Sequence, residues 1–373
     1  MNVALLVFPI HYSHGCILQT FALYSFLKKN GCNVQILNRQ PERYTRKELL
    51  KLFVKRFLKK LLRGYKGAIF YNGWFPSTIM REQQHFIGLF RQDIINVYST
   101  DELRKYIEKG HFEVIVVGSD QTWRPSNVPS VLDYWLDFAS DNNSIKKVAY
   151  APSFGVDTWE YTEQQTQRCI YLASLFDAIS VREKSGVLLC KKYLNCNATH
   201  VLDPTLLWSS DFYMNYAYQS PMPKGECHCY FLDISNEKKL IAEGVSKLKG
   251  LSLRYINTQT EDSNAPISKR IAPSIEKWLA GFLYGDYIVV DSFHAMVFSI
   301  IFQKPFIVIG NKRRGMSRFE SLLDELGLAN RIITDGTSLS SVIEEDIDWQ
   351  SVTEKLSTLR ERSIRFLHNV ITQ

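Results

Sequence analysis

The run from Tyr287 to Gly310, YIVVDSFHAMVFSIIFQKPFIVIG, sets two short β-branched segments, Tyr287–Val290 and Pro305–Ile309, on either side of a stretch, Ala295–Phe302, that is apolar on nearly every face. Short apolar runs bounded by turn residues read as buried strands, and the stretch between them as a buried crossover helix. The unit is therefore strand, helix, strand, with the strands parallel. Its polar exception is the junction: Asp291, Ser292 and His294 stand where the first strand ends, and such groups cost free energy to bury without partners. Ligands of open parallel sheets sit beyond the carboxyl ends of strands, so this junction is a candidate site.

The same unit recurs along the chain. NVALLVF, a helix from about Gly15 to Asn30, a stop at Gly31 and NVQIL open the sequence, and FEVIVV (112–117), KKVAYA (146–151) and AISV (178–181) continue a parallel sheet. A second series, THVLD, CYFLDI and LSLRYIN, alternates with helices over Glu237–Lys249 and Pro273–Leu283. At 373 residues the chain suits two domains. The fold class is α/β, with a doubly wound domain over 1–197, a second over 198–348, and a helix over 349–373 free to pack back on the first.

Composition excludes several classes. At 45% hydrophobic and 22% charged residues, the chain reads as globular, without repeats or low-complexity tracts. MNVALLVFPIHYSHG lacks a basic leader and is broken by Pro9 and His11, so it reads as a first strand rather than a signal peptide. No apolar run reaches transmembrane length. Seven scattered cysteines suit reduced thiols in a cytoplasmic setting. Cys227-His228-Cys229 lacks a second ligand pair nearby, so a strand with buried thiols is expected there rather than a metal site.

The segments that follow the strands are compact and polar: Ser13–Gly15 with Gln19 beyond, Gly118–Trp123 with Ser119, Asp120 and Gln121, Pro152–Gly155 with Ser153, Arg182–Gly186, Asp203–Thr205, Asp291–His294, and Gly310–Phe319. Any one of them suits an ordinary turn. Seven at the carboxyl edges of two sheets suit the walls of a ligand cleft.

Taken in order, HGCILQTFALYSFLKKNGCNVQILN, VVGSDQTW, YAPSFG, SVREKSG, VLDPTLL and IVVDSFHAMVFSIIFQKPFIVI followed by SRFESLLDELGL resemble the polysaccharide pyruvyl transferase family over nearly the whole chain. The resemblance implies two Rossmann-like domains in a GT-B-like arrangement with an interdomain cleft. It also implies transfer of pyruvyl from phosphoenolpyruvate (PEP) to a sugar of a surface polysaccharide or its lipid-linked precursor, usually as a cyclic ketal. PEP is then a donor substrate, and neither a cofactor nor a metal is implied. Many members carry Asn-Tyr-Gly where this chain has Ser13, His14 and Gly15, a departure that bears on the acceptor.

PEP bears a phosphate and a carboxylate, so its pocket needs several cations or oriented N–H groups. Lys312, Arg313, Arg314 and Arg318 supply charge, and a helix starting near Ser317 adds its positive end; a solvated basic loop is the plain alternative. Arg182, from the other domain, either grips the carboxylate or pairs with Glu183 or another carboxylate. Ketal formation requires one acid and one base. His294 at its helix start is the candidate acid, expected neutral in the empty site and protonated beside a dianionic phosphate, with Asp291 or Ser292 to orient it. Asp120 is the candidate base, or else a helix cap, with Ser119 and Gln121 positioning the acceptor. Trp123 is a platform for a sugar ring or a core tryptophan. Gly15, Gln19 and Ser153 complete the candidate substrate-binding set.

Two other classes fit the same pattern. One is a GT-B glycosyltransferase or sugar-nucleotide enzyme, which would hold a ribose with a glutamate where only Glu320 stands; the other is a non-catalytic binding protein of polysaccharide assembly. Nucleic acid is suggested by net charge alone and is not an expected partner. That charge is local: Tyr44–Lys66 holds nine Lys and Arg against one Glu, +8 of a total of +7, leaving −1 elsewhere. Within it, helix 46–63 places Leu49, Leu50, Phe53, Phe57, Leu58, Leu61 and Leu62 opposite Lys47, Lys51, Lys55, Lys59 and Arg63. It suits either an anionic membrane surface or packing on its own domain.

Overall fold

The computed structural model describes residues 1–63, 69, 74–260, 262–310, 315–334 and 338–371. Among them a seven-stranded parallel sheet is formed by β1 (Asn2–Val7), β2 (Asn33–Arg39), β3 (Ile94–Val97), β4 (Val114–Val117), β5 (Lys146–Ala149), β6 (Ala178–Val181) and β7 (Thr199–His200), in the order β3-β2-β1-β4-β5-β6-β7. A five-stranded parallel sheet follows, from β8 (Glu226–Tyr230), β9 (Ser252–Tyr255), β10 (Tyr287–Val290), β11 (Phe306–Ile309) and β12 (Ile332–Ile333), in the order β12-β11-β10-β8-β9.

Central strands are apolar on both faces because helices cover both, which is why they read as runs rather than alternations. Leu5 of β1 lies opposite Ile36 and Val116, and Ile288 of β10 opposite Phe306 and His228. One apolar cluster runs from Val3 and Ile17 in the first domain to Met296 and Phe298 in the second, so the two sheets share a continuous core. Winding reverses once in each sheet, between β1 and β4 and between β8 and β10. Such reversal points open the crevices in which ligands bind.

The helix after β1 spans His14–Lys29, capped by Ser13, whose hydroxyl accepts from Cys16 N at 3.4 Å. It is buried over most of its length, and Gly31, at φ +78°, turns the chain away. The helix between β10 and β11, Phe293–Ile301, is buried throughout.

The domain boundary lies later than the sequence suggests. Thr199 and His200 pair with Ser180 and Val181, extending the first sheet along the free edge of β6, and the second sheet begins only at Glu226. The C-terminal helix, Trp349–Ile371, crosses back to the first domain. Ser363 Oγ accepts from Leu202 N at 2.9 Å, Arg360 Nε donates to Leu206 O at 2.7 Å, and His368 packs edge-on against Phe26. Leu367 on this helix is fully buried in the shared cluster. Leu367→Ala should cost about 2–5 kcal/mol and, because the cluster spans both domains, should shift one cooperative thermal transition rather than split it, as read by calorimetry.

Candidate active site

The loops that flank the two reversal points face one another across a cleft of about 490 Å³. Phe8, His11 and Gly15 come from the β1 side and Asp120 and Gln121 from the β4 side; Leu232 follows β8, and Ser292 and His294 follow β10. Arg318, in the first turn of the Ser317–Leu326 helix, closes one end.

Behind the cleft wall Arg182 is the hub. Its Nη1 lies 2.8 Å from Asp203 Oδ2, its Nε 3.4 Å from Glu183 Oε1 and its Nη2 3.7 Å from Asp120 Oδ1, while the side chain is 2% exposed. Of the two sequence alternatives, gripping a substrate carboxylate or pairing with protein carboxylates, this geometry is the second. Burial alone would raise Asp120, but Arg182, His294 and Arg318 outweigh it and hold the carboxyl below its usual range. Asp203 behaves alike: burial raises it, while His294 and Arg182 bring it well below the ordinary value. Burial pushes Glu183 up, against Arg182's opposing charge.

Asp120 is pinned from several sides. Gln19 Nε2 donates to its Oδ2 at 2.7 Å, and its Oδ1 accepts from Gln121 N at 2.9 Å. Its backbone carries φ +82°, held there by Ser153 N donating to Asp120 O at 2.8 Å and by the bridge to Pro152. A left-handed non-glycine residue costs free energy that the surroundings must offset, and such residues concentrate at functional sites.

His294 belongs to the second domain, yet its ring rests on Gly15 of the first. A Cβ at residue 15 would overlap His294 Nδ1 and Cγ, so only glycine admits this approach. His294 Nε2 lies 3.5 Å from Asp203 Oδ2 and makes no hydrogen bond. Its carboxylate neighbour is thus Asp203 and not Asp291, whose oxygens are taken by Lys238 Nζ at 2.5 Å, Leu232 N at 2.6 Å and Asp233 N at 3.2 Å. Ser292 lines the cleft beside it.

Arg318 is the described cation that faces the cleft from the anion-site segment; Lys312, Arg313 and Arg314 lie outside the described residues. Burial lowers Arg318 to about 10, and Arg182's like charge adds to this. A guanidinium in a first helical turn also opposes the helix dipole. Arg318 and the helix end thus bring positive character to one corner of the cleft, beside Glu183 and Asp120, whose charges act on Arg318 in the opposite sense.

The remaining candidates form the frame. Ser119 Oγ donates to Ala151 O at 2.8 Å and lies 3.4 Å from Asp203 Oδ2, and Ser153 Oγ accepts from Gly155 N at 2.9 Å. Gln121 Oε1 accepts from Asn127 Nδ2 and Arg124 Nη1, which keeps it at the cleft edge. Trp123 is not a sugar platform: it is fully buried, stacked on Trp135 at 3.8 Å, with Nε1 donating to Tyr134 O. His14, the departure in the first motif, donates Nε2 to Pro273 O at 2.9 Å and stacks on Trp278, tying the domains together. Cys227 and Cys229 are buried strand residues, and His228 points to Glu226 and Gly281 O. Asp203 is the residue sequence reasoning missed. It stands in a segment noted only as a polar turn; one oxygen does cap that turn through Thr205, but the partners of the other, Arg182 and His294, are distant in sequence.

Two facing Rossmann-like domains with a site at paired reversal points define the GT-B architecture. The UDP-GlcNAc 2-epimerase from Methanocaldococcus jannaschii shares it at 12% identity and TM-score 0.52, covering 99% of this chain and 100% of that one. The UDP-GlcNAc 2-epimerase from Neisseria meningitidis bound to UDP-GlcNAc does so at 11% identity and TM-score 0.51, covering 97% and 94%. These likenesses concern the fold alone. No curated protein sequence matches the chain. The chain belongs to the polysaccharide pyruvyl transferase family, whose model matches residues 14–313.

Three variants probe the site's construction. Gly15→Ala should force the His294 ring aside and destabilise by about 1–3 kcal/mol through overpacking, visible as a lowered urea midpoint and a displaced His294 ring in a crystal structure of the variant. Asp203→Ala leaves Arg182 short of its nearest counter-charge and should cost about 3–5 kcal/mol. Because Asp203 is held well below its ordinary 3.8, its contribution is complete above that pH and is lost as pH falls toward the folded value. Asp203→Asn should therefore lose less stability than the parent between about pH 4 and more acid conditions, measured by urea midpoints across that range.

Proposed function

We propose that the chain transfers the pyruvyl group of PEP to a sugar of a surface polysaccharide or its precursor, closing a ketal across two hydroxyls. The observation that carries this reading is the convergence at one cleft of Arg318, His294 and Asp120, drawn from both domains. The donor's anionic groups suit the corner formed by Arg318 and the helix end. His294, with Asp203 beside Nε2, protonates C3 of PEP and leaves an oxocarbenium-like centre at C2. One sugar hydroxyl attacks C2 and gives up its proton. Asp120 is a weak base, being held in its ionised form, but a hydroxyl bonded to a cationic carbon is strongly acidic, so a fixed carboxylate suffices. The second hydroxyl then displaces phosphate, which carries away that hydroxyl's proton.

Calorimetric titration with PEP and with UDP-GlcNAc separates this reading from a sugar-nucleotide enzyme. PEP should bind and UDP-GlcNAc should not; the reverse result would discard the proposal. Arg318→Ala should weaken PEP binding by about 1.5–3 kcal/mol. His294→Ala should bind PEP within a few-fold of the parent yet lose roughly 10²–10⁴ in phosphate release with an oligosaccharide acceptor. Substantial rescue by His294→Gln, which donates a hydrogen bond but not a proton, would move His294 from acid to phosphate ligand.

A further inference from the structure

The Arg46–Arg63 helix stands largely in solvent. Most of its apolar residues are uncovered: Leu49, Leu50, Val54, Phe57, Leu58, Leu61 and Leu62 are between 36% and 79% exposed, while Leu52 and Phe53 are half-buried. Lys47, Lys51, Lys55 and Lys59 are exposed as well, spaced by four residues along the flank. Eight Lys and Arg stand in the helix against one acid, Glu48. That acid accepts from Thr45 N and Oγ at 2.8 Å, capping the helix start, and within the lysine row it acts on Lys51. No helix among the described residues is long and apolar enough to cross a membrane.

We propose that this helix docks the protein on an anionic lipid surface, lying in the plane of the interface with its apolar side among the headgroups and its lysines on lipid phosphates. Charge selects this occupant. A second copy would bring eight like charges against eight, and nucleic acid would satisfy the lysines while leaving a leucine stripe in water. The helix also adjoins the cleft's own wall. Leu49 and Tyr44 border a groove of about 820 Å³ that Ile10 lines, and the next residue, His11, lines the cleft. The inference stands apart from the chemistry in the cleft, since it rests on surface charge and exposure alone.

The test is flotation with vesicles of phosphatidylcholine alone and of phosphatidylcholine mixed with phosphatidylglycerol. The parent should float with the anionic vesicles only, and should be released at about 1 M NaCl, where the Debye length falls to about 3 Å. Lys51→Glu combined with Lys55→Glu and Lys59→Glu should lower partitioning by roughly 10²-fold or more. Leu50→Ser combined with Leu61→Ser should also lower it, by removing apolar contact while keeping every charge. All five side chains are exposed, so both variants should keep the parent's melting temperature. The proposal is overturned if the parent fails to float with anionic vesicles or floats equally with neutral ones. It is also overturned if the charge-reversed variant floats like the parent, or if the parent sediments as a dimer that the leucine variant dissociates.

Discussion

A guanidinium that cannot reach water must find its counter-charges inside the protein. Arg182 does so three times, on Asp120, Asp203 and Glu183. Each ion of such a group loses several kcal/mol of hydration on burial, regained only where the geometry brings opposite charges close and satisfies the remaining hydrogen bonds. The loops after β4, β6 and β7 are therefore fixed relative to one another by electrostatics as much as by packing. Asp120 and Asp203 then stay ionised in a place where isolated carboxyls would be neutral. Everything on the cleft side of Arg182 depends on this arrangement, including the carboxylate that faces His294.

Topology explains why that charge is found where it is. Reversal of the winding between β1 and β4 leaves the ends of those strands without a covering connection, and the same happens between β8 and β10. The two gaps confront each other because a continuous apolar cluster and the returning C-terminal helix fix the domains face to face. Lys184 adds a polar clasp, its N donating to Ser321 Oγ at 3.0 Å and its Nζ 2.6 Å from Glu325.

What could be read from the sequence was what neighbouring residues decide. Strands buried on both faces show as apolar runs, and the polar residues that end them mark the cleft, so Gly15, Asp120, His294 and Arg318 were legible. β3 and β12 were not: the first is a partly exposed four-residue edge strand and the second has two residues, too few for any periodicity. Trp123 was ambiguous because only its stacking on Trp135 makes it core. Asp203 escaped, and the role of Arg182 stayed open between two readings, for a related reason. A turn aspartate and a strand-end arginine look alike in any Rossmann-like chain, and only the folded backbone shows which ones are enclosed together.

The contact of His294 with Gly15 spans the two domains, and so does the approach of Gly315 to the Gly155 carbonyl. Neither half of the chain therefore owns a finished cleft. One half carries the ionised aspartates and the glycine seat; the other carries the imidazole and the cleft-facing guanidinium. In evolutionary terms, this couples two domains that their architecture would otherwise let recombine freely. A domain exchanged with a distant relative would bring its own surface to a seam where a single added methyl group collides, so the halves are constrained to change as a matched pair.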